Sequence, residues 1–320
     1  MHHSEHPEGG CDGWSRASAR HTATAHSALA PDRYRQGDFF IADIQDVVPK
    51  GDLASMEHPL FALRPGDKRV RRYERNGLMV EVQPGAKGLA TIHDKDVWIY
   101  CISQLVEGLN RGRGDPGRVV HFKAHSFLVA TNRGTSGSSY SRLADSLERL
   151  RGTTIITNIE TAGRRERHGF GLIDSFKIVE RDPGDQRMVA LEVTLPDWLH
   201  RSVQAKQVLT LSRSYFRIRR PLDRRIYELA RKHCGAQSRW RVSLPVLHAK
   251  TGSTSAMPKF RMNVKALVAA GDLPDYRMVW DEAGDAVTFY SRAARGAKAH
   301  IVDVVRAGRA RQRVMQQAPP

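Results

Sequence analysis

Two separated stretches of the sequence place short polar and basic side chains at helical spacing, a combination that can contact the edges of DNA bases. In a groove about 12 Å wide, Arg can read guanine and Asn can read adenine. The same spacing on either helix alone also fits an ordinary solvated face. The candidate contacts are Ser138, Ser139, Ser141, Arg142 and Arg149 in GSSYSRLADSLERLRG, and Lys259, Arg261, Asn263 and Lys265 in PKFRMNVKALVAAG.

A turn that follows the first of these stretches carries three arginines, Arg164, Arg165 and Arg167. Turns between strands usually collect Gly, Asn and Asp, so this charge needs another reason. The flanking segments TTIITNIE and FGLIDSFKIVE contain many β-branched and aromatic residues and predict a hairpin. A basic hairpin tip beside a reading helix is well placed to contact phosphates, which position a protein on the duplex.

The corresponding turn in the second half of the sequence is acidic. Asp281, Glu282 and Asp285 lie on the turn of a second predicted hairpin. Phosphates would repel these carboxylates, so we interpret the turn as a solvated loop. We expect the second half to bind DNA through its helix and through nearby Arg239 and Arg241.

The overall charge favours a polyanionic partner. The 320 residues include 51 Lys and Arg against 34 Asp and Glu, which gives a formal net charge of +17. A chain this basic is expected to meet nucleic acid or an anionic membrane surface. The sequence has no run of about 18 apolar residues, so we expect no membrane helix and no membrane partner.

Motifs of the common nucleotide-dependent and metal-dependent enzymes are absent from the sequence. It contains no GxxxxGK[ST], no HExxH and no His-x-His of the kind that holds the metal of nicking enzymes. The cysteines, Cys11, Cys101 and Cys234, are far apart, which argues against disulfides or a zinc site and favours a reducing cytoplasm. We therefore expect no catalysis, no metal and no cofactor.

The order of the predicted elements recurs along the chain. From 94 to 180 it runs helix, strand, helix, turn, helix, strand, turn, strand, and a similar order returns from 221 to 292. This order is typical of a winged helix-turn-helix domain, whose hairpin is the wing. The sequence therefore predicts an α+β fold with two tandem winged helix-turn-helix domains, although a helix followed by a hairpin also occurs in unrelated α+β folds.

Four segments follow from this pattern. Residues 1–36 are rich in Ser, Ala, His and Gly and predict a disordered N-terminal arm. We assign residues 37–206 to the first winged-helix domain, 207–292 to a linking helix and the second domain, and 293–320 to a basic C-terminal tail. Within these segments we expect short helices from about Asp197 and Ser212, and a basic loop at LRPGDKRVRRYERNG.

Several blocks of this sequence, in the same order, resemble the bacterial plasmid replication initiator protein A family. They include DFFIADI, GLATIHDKDVWIYCISQL, YSRLADSLERLRGTTIITNI, VTLPDWL and VLTLSRSYFRIRRPLDRRIYELARKHCG. The resemblance covers residues 37 to 292 and leaves out both tails.

This resemblance implies two winged-helix domains that bind repeated sequences, called iterons, in the double-stranded DNA of a plasmid origin. It also implies opening of an adjacent AT-rich region, recruitment of the host's replication initiator and helicase, and no catalysis by the chain itself. In similar initiators a homodimer represses the initiator's own gene and the monomer initiates, so a homodimer is left open here.

Two other functions stay open from the sequence. A plain transcriptional repressor would use the same two reading domains without supporting replication. A replication nickase would act through a tyrosine such as Tyr140, and the missing His-x-His argues against it.

Overall fold

The computed structural model describes residues 27–33, 48–75, 77–112, 117–158, 167–180, 188–235 and 237–317. Arg164 and Arg165, at the predicted hairpin tip, lie outside these ranges. Among the described residues the chain is a mixed α and β protein with four small sheets, in which all paired strands are antiparallel.

The first half of the chain combines helices with two of these sheets and contributes the strand Lys50–Asp52 to a third, in which that strand pairs with Val208–Thr210 of the second half. Its elements are β1 (Lys50–Asp52), α1 (Leu53–Glu57), β2 (Arg71–Arg75), β3 (Leu78–Gln83), α2 (Lys95–Asn110), β4 (Val119–Lys123), α3 (Ala124–Ala130), α4 (Gly137–Gly152), β5 (Thr154–Thr157), β6 (His168–Gly171), β7 (Ser175–Glu180), β8 (Met188–Thr194) and α5 (Asp197–Gln204). Helix α4 buries Leu143, Leu147 and Leu150, which is the i, i+4, i+7 spacing of an amphipathic helix.

The second half is shorter and ends in a long helix. Its elements are β9 (Val208–Thr210), a 3-10 helix (Arg213–Arg217), α6 (Pro221–His233), β10 (Arg239–Ser243), α7 (Leu244–Thr251), α8 (Met257–Ala270), β11 (Tyr276–Asp281), β12 (Ala286–Ser291) and α9 (Ala294–Gln317). Gly252 and Gly271 end α7 and α8 with φ of 65° and 64°, a left-handed backbone that glycine adopts without steric cost.

The predicted element order is confirmed in both halves. It appears as α2, β4, α3, α4, β5, β6 and again as α6, β10, α7, α8, β11, β12. The buried faces of α4 and α8 match at a constant offset of 117 residues (260 minus 143), which pairs Phe260 with Leu143. Tyr140, one turn before Leu143, is only half-buried.

The two halves differ in how their sheets are built. In the second half, β12 lies between β10 and β11. In the first half, β4 pairs with β8, whereas β5 and β6 join β3 and β2 in a separate four-stranded sheet. The predicted basic loop therefore contains a strand, β2, because the chain reverses at Gly77 (φ 72°) and pairs β2 with β3.

The first predicted hairpin is confirmed only in its first part. β5 pairs with β6 as far as Gly171, but β7 belongs to the sheet of β4 and β8. Leu172 and Ile173 between them are fully buried, and the Trp98 Nε1–H donates to the Leu172 carbonyl at 2.5 Å. A Cβ at Gly171 would lie 2.6 Å from the Ile173 carbonyl oxygen, so the inward turn requires glycine. The sequence pattern predicts one strand through FGLIDSFKIVE. The structure divides it into β6 and β7, because the side chains of Leu172 and Ile173 turn into the core.

The segment between the halves is less helical than predicted. The predicted helix from Asp197 is confirmed as α5, but the one from Ser212 is a single 3-10 turn. Arg220 then stays extended (ψ 133°), because a following proline disfavours helical backbone. The next helix, α6, therefore begins at Pro221.

Residues 27–33, which the sequence pattern assigned to the disordered arm, instead lie across both halves. The amide of Ala28 donates to the Asp272 carboxylate at 2.8 Å, just beyond the end of α8. The amide of Arg33 donates to the Asn132 side chain at 2.8 Å, in the turn between α3 and α4. Ala28 is buried in the core of the second half, and this apolar contact explains why the otherwise polar segment packs there.

Hydrophobic contacts among the described residues form two clusters that share elements. One contains residues between 60 and 203, and the other contains residues between 211 and 289 together with Ala28, Met56 and Ile99. Met56 belongs to α1 and Ile99 to α2, so two helices of the first half also pack into the core of the second. The halves are therefore joined by packing as well as by the chain.

Buried charges cross the same junction between α2 and α6. Lys95 Nζ lies 2.8 Å from the Glu228 carboxylate, and both side chains are at most 1 % exposed. Arg224 Nη1 lies 2.6 Å from the Asp96 carboxylate, and within α6 Arg225 Nη1 lies 3.2 Å from the same Glu228. Because each buried charge has an opposite partner, separating the halves would leave charges unpaired in a low-dielectric site.

A second ionic contact joins α1 to the second half. Glu57 accepts from Lys250, and His233 Nε2 and Lys232 Nζ lie 3.1 and 3.3 Å from the same carboxylate. Burial raises the pKa of Glu57, but these hydrogen bonds and positive charges outweigh it and hold the pKa well below its ordinary value. The carboxylate is therefore ionised at neutral pH.

We expect Glu228→Gln to lower the free energy of unfolding by about 3–5 kcal/mol, because Lys95 then becomes a buried charge without a carboxylate. Urea unfolding followed by circular dichroism measures this change. The matched control is Glu107→Gln, which breaks the exposed pair with Arg111 and should cost at most about 1 kcal/mol. An equal decrease in the free energy of unfolding in the two variants would show that the buried pairs at the junction are no more important for stability than an exposed pair.

Two histidines at the junction predict a pH dependence of stability. Burial, with the charge of Arg224 next in importance, lowers the pKa of His93 to about 4. Burial is also the main cause that lowers the pKa of His58 to about 4. Both groups bind a proton more readily in the unfolded chain, at their ordinary pKa of 6.5, so acid favours unfolding.

Because of these two groups, the thermal unfolding midpoint should fall as the pH is lowered from 6.5 to about 4.5. Below that range the ionised Glu57 also contributes, since its ordinary pKa is 4.5. The double variant His58→Gln, His93→Gln should show a flatter profile in the upper window when melting is scanned against pH. An unchanged slope in that window would contradict the assignment to these two residues.

Candidate nucleic-acid interface

Helix α4 presents a polar face at its N-terminal end. Ser138, Ser141 and Arg142 are exposed there, as the sequence pattern predicts. Ser139 is only 4 % exposed, which corrects its predicted place on that face. Its hydroxyl accepts from Arg142 Nη2 at 3.2 Å, so Ser139 supports a neighbouring arginine from below.

Arg149 has a structural partner inside the first half. Its Nε and Nη2 donate to the two carboxylate oxygens of Asp94, each at 2.8 Å, and the Asp94 side chain is 3 % exposed. Burial raises the pKa of Asp94, but the hydrogen bonds from Arg149 outweigh this and lower it. The predicted exposed contact at Arg149 is thus corrected: the pair fixes α4 on the start of α2 and sets the direction in which α4 points.

The basic hairpin of the first half is described only at its edge. Arg167 is exposed immediately before β6, and Arg164 and Arg165 lie outside the described residues. The hairpin is not isolated, since β5 also pairs with β3 and extends the sheet to β2. On β2 the exposed Arg72 lies 3.3 Å from the equally exposed Glu74, so this pair adds no net positive charge to the sheet.

Two basic residues of α8 are paired with the acidic turn between β11 and β12. Arg261 Nε and Nη2 lie 3.0 and 2.8 Å from the two carboxylate oxygens of Asp285. Lys265 Nζ lies 3.0 Å from both oxygens of Glu282 and 4.9 Å from the Trp280 ring centre. Hydrogen bonds from Arg261 and Lys265 lower the pKa values of Asp285 and Glu282. The turn is exposed, as expected of a solvated loop, with Glu282 77 % exposed, and its carboxylates are in addition paired with cations of α8.

The arginines of β10 are paired in the same way. Arg241 Nη2 lies 2.5 Å from the Asp281 carboxylate, and Arg239 binds Asp303 on α9. Tyr290 on β12 donates to Asp303 at 2.8 Å, so α9 is held against this sheet. The structure thus gives both arginines carboxylate neighbours that the spacing of the sequence did not reveal.

The remaining candidates on α8 are Lys259, which is exposed, and Asn263, which is half-buried. Between them Met262 is 52 % exposed on an otherwise polar surface. Apolar side chains contact the methyl group of thymine in the major groove. Met262 is therefore a further candidate contact, which a pattern of polar and basic residues does not reveal.

A groove beside α4 brings together arginines from distant parts of the chain. Its floor holds Asp94 and Asp96, which are paired with arginines, and its rim includes the exposed Arg33 and Arg219. The lining arginines are Arg33, Arg133, Arg142, Arg149, Arg217, Arg219 and Arg224. The sequence shows Arg217 and Arg219 only as part of a linking segment, so this groove is a product of folding.

Other kinds of site are not found in the described part of the chain. It holds no group of three His, Cys, Asp or Glu side chains arranged to bind a metal ion. None of its helices is both long and apolar enough to span a bilayer.

Comparison with solved structures gives the class of fold. Domains 2 and 3 of RctB match 74 % of this chain and 95 % of that chain, with a TM-score of 0.53 and 10 % sequence identity. A second crystal structure, of RctB residues 155–483, covers 76 % of this chain and 98 % of its own length, with a TM-score of 0.52 and 10 % identity. At this identity the likeness concerns the fold alone, which is the mixed α and β fold of those two domains.

Sequence comparison gives the family. Residues 50–278 match Replication initiator protein A. A "Putative replication protein" of Wigglesworthia glossinidia brevipalpis is 42 % identical over 257 residues, which are 80 % of this chain and 94 % of that relative. The chain therefore belongs to the Replication initiator protein A family, and the resemblance carried by its sequence blocks is confirmed.

Arg142 and Arg149 make a matched test of the α4 surface. Arg142→Ala should weaken binding to a cognate DNA site by about 1–3 kcal/mol, with no change in unfolding, if Arg142 contacts a base. Arg149→Ala should destabilise the fold by roughly 3 kcal/mol, because Asp94 stays buried without its partner. Gel-shift titrations and urea unfolding on both variants separate the two roles. The structural role of Arg149 is refuted if its variant loses only DNA affinity.

Proposed function

We propose that this chain is a plasmid replication initiator that binds repeated sequences in double-stranded origin DNA through two tandem winged helix-turn-helix domains. Membership of the Replication initiator protein A family supports the biological role. The single observation that carries the DNA-binding mode is the repeated element order, which ends each time in a helix followed by a hairpin.

The two proposed domains differ in their wings. In the second, β10, β12 and β11 form one sheet behind α7 and α8, the arrangement expected of a winged helix. In the first, the wing strands β5 and β6 belong to a larger sheet, and β4 pairs elsewhere. We infer that the first domain is an elaborated winged helix in which α4 and its exposed Ser138, Ser141 and Arg142 face the groove.

A basic surface beside α4 supports a longer contact with DNA than one helix supplies. Arg142 on α4, Arg219 in the linking segment and Arg33 in the ordered part of the arm border one groove. Together with the net charge of +17, this surface favours phosphate contacts along the backbone. The proposed cellular role then places the protein in the cytoplasm, without a membrane partner or cofactor.

Origin opening and recruitment of the host's replication initiator and helicase complete the proposal, as does the absence of catalysis by the chain itself. The proposal includes a homodimer as a second state with a repressor role. These parts follow from the family resemblance, and each needs its own experiment. Pull-down of the host initiator and helicase by the purified chain, with and without origin DNA, tests recruitment.

The alternative within DNA-binding proteins is a transcriptional repressor that does not support replication. A plasmid that carries only the cognate origin should replicate in cells that supply this chain and should be lost in cells that do not. Loss of the plasmid from both kinds of cell, together with intact repression of the chain's own promoter, would favour the repressor.

The alternative from the enzyme class is a nickase. Incubation with supercoiled origin DNA and a divalent metal should leave the DNA intact. A nick that disappears in a Tyr140→Phe variant would instead favour the enzyme.

The basic hairpin tip supplies a quantitative test of the interface. Changing Arg164, Arg165 and Arg167 to Ala should flatten the plot of log affinity against log salt by as much as about 3, because up to three phosphate contacts are lost. Fluorescence anisotropy at several salt concentrations measures the slope. The control Arg111→Ala, Arg118→Ala, Arg201→Ala removes equal charge from outside the hairpin, and an equal change of slope there would deny the hairpin a direct contact.

A further inference from the structure

The acidic turn between β11 and β12 is fixed against the helix pair of the second half. Asp285 adopts a left-handed backbone (φ 40°), which Asp tolerates better than most residues. Its carbonyl accepts from the Leu244 amide at 2.8 Å, at the first residue of α7. The side chain of Asp285 is therefore held at one place beside α8, where it meets Arg261.

The geometry of this pair leaves one edge of Arg261 available. A guanidinium has five N–H donors, and the contact with Asp285 uses Nε and one N–H of Nη2. The outer edge, formed by Nη1 and the second N–H of Nη2, can still make the two parallel hydrogen bonds that guanine O6 and N7 accept. Asp285 thus fixes the plane and direction of the group that would read a base.

Lys265 is held by a similar frame. Trp280 Nε1–H donates to Glu282 at 2.5 Å, and Glu282 in turn contacts Lys265, which lies over the Trp280 ring. Exposed ion pairs of this kind contribute little to stability, because solvent screens the two charges. Their main effects are on side-chain orientation and on local charge.

The local charge bears on binding to DNA of any sequence. Non-specific affinity rises with the number of cations that replace counterions on the phosphates. Carboxylates within 3.0 Å of Arg261 and Lys265 cancel part of this attraction and repel the backbone. Contacts that depend on base edges are affected less, because the outer edge of Arg261 stays open.

We propose that Asp285 and Glu282 are specificity-determining positioning residues. Asp285 presents Arg261 to a guanine, and the two carboxylates keep Arg261 and Lys265 from binding phosphates without regard to sequence. This inference rests on the proposed function and goes further. It names guanine as the base that Arg261 reads, and it gives the acidic turn a role in specificity, although acidic residues by themselves would repel DNA.

The double variant Asp285→Asn, Glu282→Gln tests both effects against a cognate origin repeat and a random duplex. Two released cations should steepen the salt dependence for random DNA, so that the ratio of affinities at 50 and 200 mM salt grows by about tenfold. On the repeat, the preference for guanine over other bases at the position read by Arg261 should fall by about 5- to 100-fold. Anisotropy titrations on a set of single-base variants of the repeat give both numbers.

The matched control is Glu107→Gln, Asp197→Asn, which makes the same change in charge at the exposed pairs with Arg111 and Arg201. It should leave base preference unchanged and alter the salt dependence less. The inference is overturned if the control matches the double variant, since net charge alone would then be the cause. It is also overturned if the double variant keeps full preference for guanine.

A second variant, Arg261→Lys, keeps the charge but lacks the planar fork. It should lose the preference for guanine without steepening the salt dependence. Wild-type protein that binds the repeat no better than random DNA would refute the proposed function. Wild-type specificity together with unchanged variants would refute this inference alone.

Discussion

Buried charge pairs between α2 and α6 are the constraint on which the arrangement of the two halves depends. Lys95 and Asp96 belong to the first half, whereas Arg224 and Glu228 belong to the second, and each charge finds its opposite across the junction. Such pairs add little net stability compared with apolar packing, but they strongly penalise any arrangement that separates them. The relative position of α4 and α8 is therefore set by the interior of the molecule. For a protein that reads DNA with two linked modules, a fixed link raises the effective concentration of the second module once the first is bound.

Arginine–carboxylate pairs have a different effect at the surface than in the interior. Arg149 and Asp94 form a nearly buried pair that anchors α4, whereas Arg261 and Asp285 form an exposed pair that cannot contribute much to stability. An arginine with a bidentate carboxylate can thus be a structural group in one half and an oriented, accessible group in the other. Burial of the carboxylate decides between the two roles. When the arginine is removed, a buried carboxylate is left unpaired and the fold loses stability, whereas an exposed carboxylate is solvated by water.

The two halves share an order of elements but have diverged in their surroundings. In the first half, β2 and β3 extend the sheet of the hairpin. Residues 27–33 form hydrogen bonds with both halves. The second half adds α9, which binds Arg239 through Asp303. These additions lie next to the proposed reading surfaces, so each half offers a different basic environment to the DNA.

The sequence by itself determined the element order, the amphipathic faces and the family. Local spacing is enough for these, because a helix that buries Leu143, Leu147 and Leu150 carries its own period. Only the tertiary structure decided that Ser139 and Arg149 turn inward, that the second hairpin strand breaks after Gly171, and that Asp285 pairs with Arg261. Each of these depends on residues far apart in the chain: Asp94 is 55 positions from Arg149, and Asp285 is 24 from Arg261. Which charges pair and which turns are buried depends on the residues that folding brings within a few ångströms of each other. A local sequence pattern does not contain that information.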